Sequence, residues 1–161
     1  MIAKFNNIFY LIVFLAHFIA IAGYCFQTIV GTKKFMDKFG IDHSAAVMIR
    51  FVGALMLGWV IMAIYIMFVR PNGVEGTWAF FNLIFIIHAC VLGTNFYSLK
   101  IDKTGLNEKA TNEGIIAPTV FLIMMAILCY GLSDKIYITY TKLNTSFATL
   151  APLLSAPWTV P

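Results

Sequence analysis

Apolar and polar positions along the chain separate into four long apolar blocks joined by short polar stretches. The blocks cover residues 8–30, 45–69, 77–99 and 115–133. Each is close to the ~20 residues that a helix needs to cross a ~30 Å hydrocarbon core. Backbone groups in lipid must be satisfied within a segment, and no alternating strand pattern recurs here. The pattern therefore predicts an all-α four-helix transmembrane bundle over residues 1–133 and a C-terminal extramembrane tail over residues 134–161.

The composition agrees with an integral membrane protein. Hydrophobic residues make up 61% of the chain and charged residues 11%, whereas soluble domains carry roughly 25% charged residues. This leaves no room for a sizeable soluble domain. We expect a lipid bilayer around the chain, bound lipids and no nucleic-acid partner. Ala20 and Ala22 resemble a signal-peptide cleavage site. Since the apolar run continues to Phe26, we expect a retained first helix.

The distribution of Lys and Arg predicts an orientation. The first and third loops with their flanks hold seven of these residues, and the N-terminus, second loop and tail hold four. By the positive-inside rule the first and third loops are cytoplasmic and both termini are non-cytoplasmic. A bacterial inner membrane or an organellar membrane fits this pattern. In the first loop, Phe35 and Phe39 have helical spacing, which is typical of either an interfacial helix or an ordinary basic loop.

Small residues recur at helical spacing within three of the blocks. Such stripes let transmembrane helices approach closely, and they favour a compact bundle rather than isolated spans. The stripes are Ala16, Ala20 and Gly23; Ala54 and Gly58; and Ala89 and Gly93.

Two histidines, His17 and His88, lie near the middle of the first and third blocks. A titratable side chain at such depth is costly and indicates function by default. The two blocks run in the same direction, and a rise of ~1.5 Å per residue puts both imidazoles at a similar depth. They could hold a haem between them, or each could bind a chlorophyll magnesium. The alternative is packing, with each histidine hydrogen-bonded to backbone carbonyls or to Asn and Thr side chains of a neighbouring helix.

Other chemistry-bearing patterns are absent from the sequence. There is no nucleophile elbow, phosphate loop, zinc-protease motif or paired cysteine spacing, and no apolar block carries a central carboxylate. The sequence therefore favours a non-catalytic role. The tail is too short to build its own core, so its aromatic residues should contact either a partner subunit or the bundle itself. The candidate interaction residues are Tyr137, Tyr140 and Trp158.

The residues Phe39-Gly40-Ile41-Asp42 and Met48 to Gly58 resemble small bacterial four-helix membrane proteins of the DoxX-like type. Those proteins often open their second helix with an Arg-x-x-Gly-Ala pattern, which is present here from Arg50 to Ala54. The resemblance implies a four-helix bundle, sometimes associated with membrane redox complexes. It assigns no catalytic residue.

Three functional hypotheses follow. The first is a non-catalytic accessory subunit of a larger membrane complex, involved in electron transfer or light harvesting, with other integral membrane subunits as partners. The second is a membrane protein that binds haem b or a chlorophyll-type pigment through His17 and His88. The third is a carrier of a small molecule or lipid.

Overall fold

A computed structural model of the chain describes residues 2–137, so the candidate interaction residues Tyr140 and Trp158 lie outside the described range. Single 3₁₀ turns occur at Ile2–Phe5 and His43–Ala45, and a π-helical turn, Tyr65–Val69, prolongs the third α-helix. The α-helices in chain order are α1 (Ile8–Ile29), α2 (Thr32–Phe39), α3 (Ala46–Ile64), α4 (Trp78–Lys100), α5 (Glu113–Gly131) and α6 (Ser133–Ile136).

The four predicted spans are confirmed as helices, each displaced by at most two residues from its predicted bounds. α1, α3 with its flanking turns, α4 and α5 are long and apolar enough to cross a membrane. Large apolar side chains are exposed all around the bundle, for example Ile19, Phe26 and Val47. A water-soluble protein rarely exposes such an extended apolar surface. The chain is an all-α four-helix bundle of the multi-pass membrane type.

Polar side chains fix where two of the spans begin. The side chain of Asn7 accepts a hydrogen bond from the N–H of Tyr10 at 3.2 Å and caps α1. The carboxylate of Asp42 accepts one from the N–H of Ser44 at 2.8 Å, at the turn that leads into α3. Such caps satisfy backbone donors that have no partner within the helix.

The helices form an open arrangement rather than a closed ring. Within the described residues, the closely packed pairs are α1 with α3, α1 with α5, and α4 with α5. α1 and α4 therefore face each other across the bundle, and α3 and α4 form its two unpaired edges. The main core of the bundle contains fully buried side chains from α1, α4 and α5. These are Phe14, Phe81, Ile84, Met125 and Leu128.

The side of the bundle that carries the N-terminus is closed by short segments. Nζ of Lys4 donates to the carbonyl oxygens of Met67 and Arg70, at 3.3 and 2.8 Å, at the end of the π-helical turn. Phe5 is fully buried in the main core together with Val74 from the α3–α4 connection. At the other end of the described chain, the hydroxyl of Tyr137 donates to Oδ1 of Asn82 on α4 at 2.6 Å.

The small-residue stripes do not bring the helices together as the sequence predicted. Most of their members lie on the outer surface, and a Cβ at Gly23, Gly58 or Gly93 would meet no atom within 4 Å. The close approach of α1 to α3 occurs instead at buried Gly53, where a Cβ would overlap the hydroxyl of Thr28. The prediction was wrong because helical spacing defines a stripe without saying which side of the helix meets a partner.

The first and third loops are joined at the opposite side of the bundle. Gly40 ends α2 in the left-handed region, with φ of 65°. The segment that follows pairs with the third loop through two backbone hydrogen bonds. The N–H of Asn107 donates to the carbonyl of Gly40 at 2.8 Å, and the N–H of Asp42 donates to the carbonyl of Gly105 at 3.1 Å. Between these two bonds, Ile41 and Leu106 form an isolated antiparallel bridge.

Candidate ligand cavity beside a histidine pair

His17 on α1 and His88 on α4 meet in the middle of the bundle and form the histidine pair. Their Nε2 atoms are 2.9 Å apart, which is a direct hydrogen bond between the rings. The ring planes are inclined at 76°, and the side chains are 0% and 4% exposed. The similar depth expected from the helical rise therefore brings the two imidazoles into contact across the bundle, between the helices that lie opposite each other.

Aromatic side chains enclose the histidine pair. The ring of Phe121 on α5 lies 5.4 Å from the ring of His17 and 5.5 Å from that of His88. The indole of Trp59 on α3 lies 6.3 Å from His88. All four spans thus contribute to this polar contact in an otherwise apolar interior. A hydrogen bond is electrostatically stronger in such surroundings than in water.

The partners of the two histidines differ from those expected under the packing alternative. Neither ring nitrogen in the contact bonds a backbone carbonyl, Asn or Thr, because the rings bond each other. Two nitrogens on opposite sides of one iron lie ~4 Å apart, twice a metal–nitrogen bond of about 2.0 Å. The observed 2.9 Å is a hydrogen-bond distance rather than that of a haem sandwich. Haem or chlorophyll binding by His17 and His88 stays a prediction, without support from this arrangement.

Metal binding by a larger cluster has no basis in the described residues either. Among residues 2–137, no group of three or more His, Cys, Asp or Glu side chains is placed to hold a metal ion. Cys25, Cys90 and Cys129 are free thiols in three separate spans.

A cavity of about 320 Å³ begins at His88 and runs towards the first and third loops. Its volume is at the lower end of the ~300–1,000 Å³ typical of small-molecule sites, and about ten times the ~30 Å³ share of one water molecule. The walls are mainly apolar and come from five helices. Representative wall residues are Ile21, Phe39, Ile49, Met56, Leu99 and Ala117.

The cavity opens sideways between α3 and α4, the two edges that do not pack closely. Val52 on α3 and Val91 on α4 both line the cavity and are 47% and 38% exposed. A residue that lines a cavity and is also exposed lies at its opening. Both residues lie within helices that are long and apolar enough to cross a membrane.

Polar side chains are concentrated at the end of the cavity next to the loops. Glu113, in the first turn of α5, accepts a hydrogen bond from Nζ of Lys38 at 2.7 Å and one from the hydroxyl of Tyr24 at 3.3 Å. Nδ2 of Asn95 on α4 donates to the carbonyl of Gly114 on α5 at 2.7 Å, which is a hydrogen bond between helices. The half-exposed Lys38–Glu113 pair balances the charge here and contributes only about 0.2–1 kcal/mol to stability.

α2 covers this end of the cavity. Of the two alternatives left open for the first loop, the structure has a helix, and the rings of Phe35 and Phe39 lie 4.7 Å apart on one side of it. Both rings line the cavity, whereas Lys33 and Lys34 are exposed. The apolar side of α2 is therefore turned to the bundle interior rather than to the acyl chains.

Sequence reasoning missed Glu113, Phe121 and Trp59 as parts of one site. In the sequence, Glu113 resembles the other charged residues of a solvated loop. The available signal was its position just before the fourth apolar block, because an acidic side chain in the first turn of a helix is stabilised by the helix dipole. Phe121 and Trp59 carry no signal in sequence, because aromatic residues are frequent throughout the apolar blocks. Their roles depend on how the helices are rotated.

The chain was compared with protein-family models, curated proteins and solved structures, and none of them matches. The resemblance to DoxX-like proteins accordingly stays a prediction.

Proposed function

We propose that this protein binds a lipophilic small molecule that it takes up from the bilayer, the third of the functional hypotheses. The observation that carries the proposal is the cavity that opens between α3 and α4 and ends at His88. A largely preformed apolar cavity with a few convergent polar groups is the usual form of a small-molecule site.

The cavity lining defines the class of ligand. Its walls carry aliphatic and aromatic side chains. The acidic residue in the lining is Glu113, which forms a salt bridge with Lys38. A charged molecule would lose its hydration without gaining an opposite charge, which is costly in an apolar site. An uncharged, mainly aliphatic ligand with one polar group fits both the walls and the histidine at the inner end.

Saturable binding of a labelled lipophilic probe tests the proposal. The probe is tritium-labelled methyl nonyl ketone, measured by scintillation proximity on the detergent-solubilised full-length chain. Val52→Trp and Val91→Trp narrow the opening, and we expect each to weaken binding about fivefold or more, since overpacking costs about 1–3 kcal/mol.

Ile61→Trp and Ile86→Trp are the matched controls. Both positions are exposed on the same two helices, at 59% and 56%, and neither lines the cavity. We expect binding to these variants to equal that of the unmodified chain. Non-saturable uptake by the unmodified chain, or equal loss in all four variants, rules out a site in the cavity.

A second candidate function, a subunit of a larger membrane complex, is favoured by the exposed small-residue stripes. Ala54 with Gly58, and Ala89 with Gly93, leave shallow strips on the outer surfaces of α3 and α4, where a further transmembrane helix can approach closely. If a partner packs there, Gly58→Leu should release it in mild detergent while Ile61→Leu retains it, as measured by native gel mobility. Identical mobility of both variants and the unmodified chain contradicts this candidate.

The orientation belongs to the proposal as well. The surplus of Lys and Arg in the first and third loops places α2, and with it the covered end of the cavity, on the cytoplasmic side. The N-terminus and the α3–α4 connection then lie on the other side.

A further inference from the structure

We infer that His88 presents a hydrogen-bond donor, Nδ1–H, to the cavity, and that the ligand carries an uncharged carbonyl group at its inner end. The inference deepens the proposed function and rests on it.

The contact between the rings fixes how many protons the pair holds. A charge at this depth in an apolar interior is expensive, so both imidazoles are neutral and each carries one proton. The Nε2 atoms, 2.9 Å apart, share a single proton. One ring therefore donates through Nε2 and has a bare Nδ1, and the other accepts through Nε2 and is protonated at Nδ1.

The surroundings of His17 decide which ring is which. Nδ1 of His17 is fully buried. Among the buried side-chain nitrogen and oxygen atoms of residues 2–137, it is the one that lacks a hydrogen-bond partner. A buried N–H without an acceptor is rarer in proteins than an acceptor left unpaired, and it costs about 1–3 kcal/mol. His17 accordingly keeps Nδ1 bare and donates through Nε2, which leaves the second proton on Nδ1 of His88.

His88 can offer this proton to a ligand because it lines the cavity. Its Nε2 is bonded to His17. Within residues 2–137, Nδ1 of His88 has no hydrogen bond of its own and is not among the fully buried atoms that lack a partner. It therefore keeps accessible surface, which we assign to the cavity that the residue lines. An alkane at this position would leave the donor unpaired, whereas a carbonyl oxygen would accept its hydrogen bond. The site should therefore prefer a ketone or ester over a hydrocarbon of the same length.

Nitrogen-15 NMR of histidine-labelled protein tests the proton positions without any ligand. The chain has three histidines, so the His17→Gln, His43→Gln and His88→Gln variants assign every ring signal. We expect a protonated Nε2 and bare Nδ1 for His17, and the reverse for His88. The opposite assignment overturns the inference and leaves the proposed function intact.

Competition between two probes tests the ligand class. Unlabelled methyl nonyl ketone and undecane each displace the tritium-labelled ketone, and we expect the ketone to bind roughly two- to tenfold more tightly, the value of one hydrogen bond. His88→Leu should abolish this preference, so that the two probes bind this variant with equal affinity, while exposed His43→Leu retains it. Equal affinities in the unmodified chain overturn the inference, whereas the absence of saturable binding for both probes overturns the proposed function itself.

Discussion

His17 and His88 bond each other through their Nε2 atoms in the middle of the bundle. A constant rise along two parallel helices placed both imidazoles at a similar depth, because depth depends only on position along the helix. Which atoms they bond depends on the rotation of each helix about its axis. That rotation produces the 2.9 Å hydrogen bond between the rings and their enclosure by Phe121 and Trp59. The sequence does not determine the rotation, because each of these helices carries apolar side chains on every face.

Replacing one member of the histidine pair should destabilise the protein more than replacing both. His17→Leu or His88→Leu leaves a buried ring nitrogen without its partner, and we expect each to lower the free energy of unfolding by about 1–3 kcal/mol. The double variant leaves no such atom and should recover much of that loss. Unfolding in mixed micelles, followed by circular dichroism, measures the four values. Exposed His43→Leu is the control, and additive effects of the two changes contradict the expected coupling.

Asp42, which lies outside the spans, should make the stability of the fold depend on pH in a definite direction. Hydrogen bonds from the hydroxyl and N–H of Ser44 lower the pKa of the Asp42 carboxyl. Because the pKa is lower in the folded state, the carboxylate stabilises the fold above the ordinary Asp pKa of about 3.9, and this contribution is lost as the pH falls through the folded value.

Carbon-13 NMR titration of the carboxyl groups checks this effect. Ser44→Ala should raise the pKa of Asp42 towards its ordinary value. The pKa of Asp102, which hydrogen bonds from Thr104 lower in the same way, should not change in that variant. An unchanged Asp42 titration argues against the assigned cause.

At the scale of helices, the two glycines of α3 predict opposite outcomes for the same substitution. A Cβ at Gly53 overlaps Thr28 on α1, whereas a Cβ at Gly58 meets open space. Gly53→Ala should lower the free energy of unfolding by about 1–3 kcal/mol. Gly58→Ala should be neutral or slightly stabilising, because alanine favours helix more than glycine does. Unfolding in mixed micelles compares the two, and equal effects contradict the packing of α1 on α3.

The helices themselves were predictable for a physical reason, and their contacts were not. The bilayer sets the length of a span, and lipid enforces helical hydrogen bonding. Uninterrupted apolar runs therefore gave α1, α3 with its flanking turns, α4 and α5 nearly at their observed bounds. Lipid-facing and buried residues are both apolar in a membrane protein. Neither the exposed position of Gly58 nor the gap between α3 and α4 leaves a signal in the hydropathy pattern.

For the molecule as a whole, the proposed orientation can be measured by chemical labelling. In a cysteine-free background, Ser44→Cys places a thiol in the first loop and Asn72→Cys places one in the α3–α4 connection; both positions are exposed. We expect a membrane-impermeant maleimide to label Asn72→Cys in right-side-out vesicles, and Ser44→Cys only after the membrane is opened. The reverse pattern contradicts the orientation derived from Lys and Arg.

The closure of the N-terminal side by Lys4 and Phe5 has a consequence for biogenesis. Lys4 finds its carbonyl acceptors at Met67 and Arg70 only after the second span has entered the membrane. Phe5 shares its core with Leu132 and Ile136, which follow the fourth span. Lys4 and Phe5 therefore reach these contacts only after the later spans have been made.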